Sequence, residues 1–355
     1  MDLREQNFGI EIEMTGITRE QAAQITANYF GTHATYAGTY YGTYVARDQH
    51  GRQWKFMSDG SITREQKHNG RIVPVEDRAY SVELVSPICR YEDIETVQEI
   101  VRRLRAAGAI SNDSCGIHIH VNAAPFDATA LRNLVNIVAS KEDLLYKALQ
   151  VKVGREYYCR KTNHDFLEAL NRRRPKSVEG VGNVWYDEQY DSDHEPTAHY
   201  HKSRYHCLNL HSVFTKGTVE FRLFNSDIQH AGKIKAYIQL SLAIAAQALN
   251  QRCASHTSTQ SSNEKYTFRT WLLRLGMIGD EFKTARTHLL EHLDGCIAWR
   301  DPAQAERQKE RMRLKREKEL AERQMREQDY AASQTVTEQE AGAVEAPAFT
   351  MEMHY

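Results

Sequence analysis

Four short segments of this chain alternate apolar and polar side chains with a period of two: NFGIEIEM (7–14), YSVELVSP (80–87), GIHIHVN (116–122) and TVEFRLF (218–224). Alternation over such a length marks a half-buried β-strand. Side chains two apart leave a strand on the same side. One side of the first segment carries Phe8, Ile10, Ile12 and Met14, and the other carries Glu11 and Glu13. The matching polar positions are Glu83, then His118 and His120, then Glu220 and Arg222. Such a chain folds around a sheet with an apolar back and a front crowded with ionisable groups.

The remaining patterns fill in the fold. His206–Ser212 is a further strand candidate, and Asp48-Gln49-His50-Gly51 reads as a hairpin turn. Helical spacing occurs over Tyr91–Ala107, with Gly108 as its stop, and over Asp127–Leu149, with Asp127 as N-cap. Lys233–Asn250 and Asp280–Leu293 are also helical. The expectation is an α+β body over residues 1–300, with helices on one side of a largely antiparallel sheet. Residues 152–205 are polar, lack a clear period and read either as a lid or as a surface insertion.

From 301 to 329 the composition shifts to Glu, Lys, Arg, Gln and Ala, with only Met312, Leu314, Leu320 and Met325 as large apolar residues. Pairs such as Glu319/Arg323 and Glu322/Arg326 suit an exposed helix. It is expected to be a solvated extension, with docking of a protein partner the sharper alternative. Residues 330–355 contain no Lys or Arg and are expected to be disordered.

Composition excludes several classes. With 41% hydrophobic and 26% charged residues, the chain has an ordinary globular balance. A net charge of −1 supplies no general field for nucleic acid or a membrane. The six cysteines (89, 115, 159, 207, 253, 296) include no CxxC pair, as expected of reduced thiols. MDLREQNFGIEIE lacks the apolar region of a signal peptide, and no run has the length of a membrane span. These features predict a cytoplasmic protein.

Taken singly, the polar pairs say little. A Glu-x-Glu is usually a solvated face, and a Glu-x-Arg is usually a surface ion pair. His-x-His is more informative, since paired imidazoles recur at metal sites. The combination matters more. Four carboxylates on one face repel one another unless cations neutralise them. An oxygen-rich donor set without thiolate favours Mg²⁺ or Mn²⁺ over structural zinc. Mg²⁺ commonly bridges to phosphates, and Arg222 then suits a phosphate or a developing negative charge. The face therefore points to metal-dependent phosphoryl chemistry with a nucleotide. Neither GxxxxGK[ST] nor GxGxxG is present to cradle the phosphates.

These motifs together resemble the amidoligase branch of the glutamine synthetase-like carboxylate–amine ligase superfamily. The resemblance runs in order through F8-G-I-E-I-E13, D59-G-S61, V82-E-L-V-S-P87, G116-I-H-I-H-V121, R204-Y-H-C-L-N-L-H-S212 and T218-V-E-F-R-L-F224. It implies a curved antiparallel sheet whose polar face holds ATP and two divalent ions. The implied reaction activates a carboxylate as an acyl phosphate, which an amine then attacks. Glu11, Glu13, Glu83, His118 and Glu220 match metal ligands. His120 matches a contact to nucleotide phosphate, and Arg222 the arginine on the transferred phosphoryl group. Asp59 and Ser61 face the substrate or the amine, and Arg204 and Asn209 face phosphate or substrate. The carboxylate would belong to an amino acid, a peptide or a protein terminus. Two alternatives stay open: a guanidino kinase-like phosphotransferase, and an inactive scaffold on the same fold.

Overall fold

The four alternating segments lie side by side. The computed structural model describes residues 1–187, 198, 201–298 and 301–341. Its strands are β1 (Phe8–Met14), β2 (Thr35–Tyr36), β3 (Tyr44–Arg47), β4 (Gln53–Met57), β5 (Glu65–His68), β6 (Arg71–Pro74), β7 (Val82–Val85), β8 (Gly116–Asn122), β9 (Leu208–Asn209) and β10 (Thr218–Asn225). Eight of them form one sheet in the order β2-β3-β4-β7-β1-β8-β10-β9, and β5 and β6 form a separate hairpin. Every pairing in the large sheet is antiparallel.

Register follows the sequence pattern. Ile10 lies opposite Ile119, which lies opposite Phe221, and Phe8, Val121 and Val219 line up in the same way. All six are buried. The helices are α1 (Arg19–Phe30), α2 (Ile94–Ala106), α3 (Ala128–Ala139), α4 (Glu142–Leu149), α5 (His164–Arg173), α6 (Val178–Asp187), α7 (His211–Thr215), α8 (Ala231–Asn250), α9 (Glu264–Arg274), α10 (Lys283–Leu290) and α11 (Pro302–Ala341). Helix α1 packs on β3, β4 and β7, while α8 lies on β8 and against α2, α3 and α10. Residues on every side of α8 are therefore buried, and small residues let its neighbours approach. No helix among the described residues is long and apolar enough to cross a membrane.

Several expectations need correction. The alternation expected over 218–224 breaks before Phe224. An extra residue between Phe221 and Phe224 makes a β-bulge, which brings Phe224 opposite Ile117. Its ring stacks on Tyr237 of α8 with centroids 4.5 Å apart. The strand expected over His206–Ser212 shrinks to Leu208–Asn209 and runs into α7. Asp127 caps α3 through Ala130 N–H at 2.7 Å, but the expected single helix breaks at Ser140, whose hydroxyl donates back to the Ile137 carbonyl.

The stretch 152–205, which shows no clear period, contains α5 and α6. These bury Phe166, Leu170, Val184 and Trp185 and pack against α3. Part of its Asp/His-rich portion, 188–197, lies outside the described residues.

The chain divides into two units, Met1–Gly295 and Cys296–Tyr355. In the second, α11 extends beyond the expected end at 329 into the tail expected to be disordered. Residues 342–355 lie outside the described residues. On α11, Glu319 and Glu322 pair one turn back, with Lys315 and Lys318, instead of forward with Arg323 and Arg326.

Candidate active site

On the front of the sheet the cross-strand partners are polar. Glu11 lies opposite His118, Glu13 opposite Glu83, and Glu220 opposite both His120 and Asn209. Opposite residues in an antiparallel pair are close neighbours on one face. Seven residues read from the strands, Glu11, Glu13, Glu83, His118, His120, Glu220 and Arg222, thus form one continuous row. Three overlapping groups, drawn from this row and the nearby Asp59, have ligand atoms within 4.8 Å of one another: Glu11–His120–Glu220, Glu11–Glu83–His118 and Glu13–Asp59–Glu83.

The first end of the row is charge-balanced. Glu11 Oε2 lies 2.9 Å from His118 Nδ1, and Glu11 Oε1 lies 3.3 Å from the Lys216 amine. Arg222 Nη1 donates to Glu220 Oε1 at 2.5 Å. Asn209 Nδ2 and Ser212 Oγ donate to Glu220 Oε2 at 2.7 and 3.1 Å. Burial pushes the Glu11 carboxyl up, but His120, the bond from His118 and Lys216 outweigh it and hold the group well below the carboxylate range. Glu220 behaves likewise: burial opposes ionisation, and Arg222, His120 and His118 prevail. Burial, with Arg222 nearby, pushes the His118 imidazole down to about 4, so the ring is neutral at neutral pH. With its Nδ1–H given to Glu11, neutral His118 keeps a lone pair on Nε2.

The other end holds acids alone. Gly116 N–H donates to Glu13 Oε2 at 2.6 Å. Burial, then the Asp59 charge, raises Glu13 to about 7. Burial followed by Glu11, Glu13 and Asp59 raises Glu83 well above the carboxylate range. Asp59 comes from a loop, pinned where Ser81, at the head of β7, exchanges hydrogen bonds with its backbone at 3.0 and 2.5 Å. Ser61 donates to Asp59 Oδ1 but is exposed. Arg204 lies in a turn (Lys202–Arg204), with its guanidinium over Tyr205 at 5.5 Å. It makes none of the contacts within the row given above.

His120 adds a further clue. Its Nδ1 meets Thr218 Oγ1 at 2.9 Å. Its Nε2 is buried and makes no hydrogen bond, with Glu11 Oε1 3.2 Å away as an ion-pair neighbour. A buried ring nitrogen without a hydrogen bond beside carboxylates fits a site for a ligand or a cation. The donor set, mostly carboxylate with imidazole, suits a hard divalent ion. A cavity of about 420 Å³ opens beside this end, lined in part by Gly9, Glu11, His120, Asn122, Lys216 and Thr218.

Sequence patterning misses Lys216, Ser212 and Thr218. Ser212 lies inside the R204–S212 motif, and Lys216 stands two residues before β10, but neither position has a spacing that announces it.

Residues 4–245 match the family model described as "putative amidoligase enzyme". The chain belongs to this amidoligase family. The matched span contains every residue of the row. No curated protein matches the chain significantly. Among solved structures, the crystal structure of a bifunctional glutathione synthetase from Pasteurella multocida covers 82% of this amidoligase chain at 14% identity and a TM-score of 0.33. This chain spans about half of that protein, 47%. At that TM-score the likeness carries no argument about fold or chemistry.

Proposed function

We propose that this chain is an ATP-dependent carboxylate–amine ligase on a glutamine synthetase-like sheet, working through an acyl phosphate with two divalent ions. The observation that carries the proposal is the continuous row of three ligand groups with Arg222 paired into it. Glu11, Glu13, Glu83, His118 and Glu220 would hold Mg²⁺ or Mn²⁺. Bound there, the ions supply charge neutralisation for phosphoryl transfer.

The chain's own residues do the rest. His120 directs its Nε2 at nucleotide phosphate, and the cavity beside it takes the nucleotide. Glu220 fixes the Arg222 guanidinium where the transferred phosphoryl group gains charge. Asn209 orients Glu220, and Arg204 borders the phosphate or substrate side. A substrate carboxylate oxygen attacks the γ-phosphorus and ADP leaves. The amine then attacks the acyl carbon, its proton passes to a neighbouring carboxylate or to solvent, and phosphate leaves. Asp59, at the acid-only end, faces the incoming amine. The carboxylate substrate is an amino acid, a peptide or a protein terminus, and a second molecule supplies the amine.

The test is turnover. Protein, ATP, Mg²⁺ or Mn²⁺ and a pool of amino acids and peptides should release ADP and free phosphate. Glu11→Gln and Arg222→Ala should each abolish that release; unchanged turnover in both sinks the proposal. A stable phosphorylated acceptor in place of free phosphate would identify a phosphotransferase instead.

A further inference from the structure

Arg155 is a buried guanidinium outside the acid row and outside every motif read from the strands. Its exposure is 3%. It ends a short turn (Val153–Arg155) and reaches across the head of β8 to β10. Nη1 donates to the Phe224 carbonyl at 2.6 Å, and Nη2 to the Arg222 carbonyl at 3.0 Å. Both carbonyls belong to the bulge between Phe221 and Phe224. The residues just after this turn meet the Arg222 side chain, whose Nε donates to the Tyr158 carbonyl at 3.4 Å. Tyr158 N–H in turn donates to the Arg155 carbonyl at 2.8 Å. Arg222 is therefore held through its backbone and its side chain by one short segment, 153–158.

Gly116 makes the passage possible. A Cβ at this position would lie 2.3 Å from Arg155 Nη2 and 2.8 Å from its Cζ. Any larger residue at the head of β8 would drive the guanidinium off the bulge. Gly116 also donates its N–H to Glu13, so it cannot simply slide away. Burying an arginine against carbonyls is a poor way to gain stability, since apolar packing generally serves as well or better. It is a good way to fix geometry, because a planar fork reaches two carbonyls at once.

We propose that Arg155 is a positioning residue for Arg222. It locks the bulge in the register that turns the Arg222 guanidinium onto Glu220 and toward the reacting phosphoryl group. This inference rests on the role proposed above for Arg222.

Arg155→Lys keeps the charge but loses the fork. At saturating ATP its turnover should fall more than about tenfold, with KM for ATP and calorimetric Mn²⁺ affinity within about twofold of wild type. The Arg222 Nε–H resonance, assigned by its loss in Arg222→Lys, should shift in Arg155→Lys. In a thermal double-mutant cycle, Gly116→Ala should lower the midpoint in the wild-type background and much less in Arg155→Ala. Turnover within about twofold of wild type, or an unmoved Arg222 resonance, overturns the proposal. If the wild-type protein fails to turn over ATP, the ligase reading fails, and the resonance and the cycle alone decide the positioning role. If Arg155→Lys does not fold, Gly116→Ala, which displaces the guanidinium without removing it, is read in its place.

Discussion

The two ends of the acid row share one sheet face, similar burial and the same residue type, yet their protons behave in opposite ways. At the Glu11–Glu220 end, arginine, lysine and imidazole hold both carboxyls below the ordinary range. At the Glu13–Asp59–Glu83 end no such partner is within hydrogen-bond distance among the described residues, and Glu13 and Glu83 titrate high. The first end is balanced by the protein itself. The second feels only more distant protein charges, Arg155 and Arg222 on Glu13 and Lys216 on Glu83, which do not offset burial and mutual repulsion. Protons or a bound cation would supply the rest.

The sharpest way to break this contrast is to unbalance the balanced end. Arg222→Met leaves Glu220 buried without its closest cation and should cost about 3 kcal/mol or more in urea unfolding. Combining it with Glu220→Leu removes the stranded charge as well, so the double variant should recover most of the loss. If the double variant is no more stable than Arg222→Met, the balance described for this end is wrong.

The acid-only end predicts the reverse sign. Glu13 releases its proton at about 7 in the folded protein, against an ordinary value of 4.5. The folded state therefore holds a proton that the unfolded chain has already lost, and this group's contribution to stability falls as pH rises from 4.5 to 7. His118, lowered from 6.5 to about 4, contributes in the opposite direction over much of that window and masks the trend in the whole protein. Comparison with Glu13→Gln isolates it. In metal-free buffer the variant's stability relative to wild type should grow by about 2 kcal/mol between pH 4.5 and 7. Saturating Mn²⁺ should reverse that advantage, because only wild type retains the ligand. A constant difference across pH would remove Glu13 from the list of crowded acids.

A smaller effect separates the two histidines. His118 sits between both ends of the row, with Nε2 4.0 Å from Glu13, whereas His120 faces the cavity. His118→Ala should weaken Mn²⁺ binding by about tenfold with nucleotide affinity little changed, and His120→Ala should do the opposite. Calorimetry with Mn²⁺ alone and with a non-hydrolysable ATP analogue reads both. Identical behaviour of the two variants would erase the division of labour.

The contrast also shows what a sequence reveals. Glu11, Glu13, Glu83, His118, His120, Glu220 and Arg222 are legible because a one-sided antiparallel sheet writes its faces into a period of two. The same rule stops short of Phe224, since alternation cannot register the extra residue of a bulge. Strands β2, β5 and β6 are short and mostly exposed, so they carry little alternation. Helices α5 and α6 bury only a few residues each, too narrow a stripe to stand out in a polar stretch. Asp59 has the right motif, but its place beside Glu83 depends on the Ser81 clasp. Lys216 depends on where α7 ends. Both follow from tertiary geometry, on which local pattern is silent.

Lys216 supplies the mildest test. Its side chain is 48% exposed and its amine lies 3.3 Å from Glu11. Burial disfavours the charged amine, but Glu11 and Glu220 outweigh it and raise the group above the ordinary lysine range. A half-exposed pair of this kind is screened by water and salt, so Lys216→Met should change stability by less than about 1 kcal/mol. Its effect on ligands should be larger than its effect on the fold. Lys216 lines the cavity beside His120, so losing it removes a cation from the approach proposed for the nucleotide while leaving the proposed metal ligands in place. ATP-analogue affinity should fall by a few-fold at low salt, and the difference from wild type should shrink as salt rises. A salt-independent loss, or a loss of Mn²⁺ affinity instead, would mean that Lys216 acts only through Glu11 and not on the nucleotide.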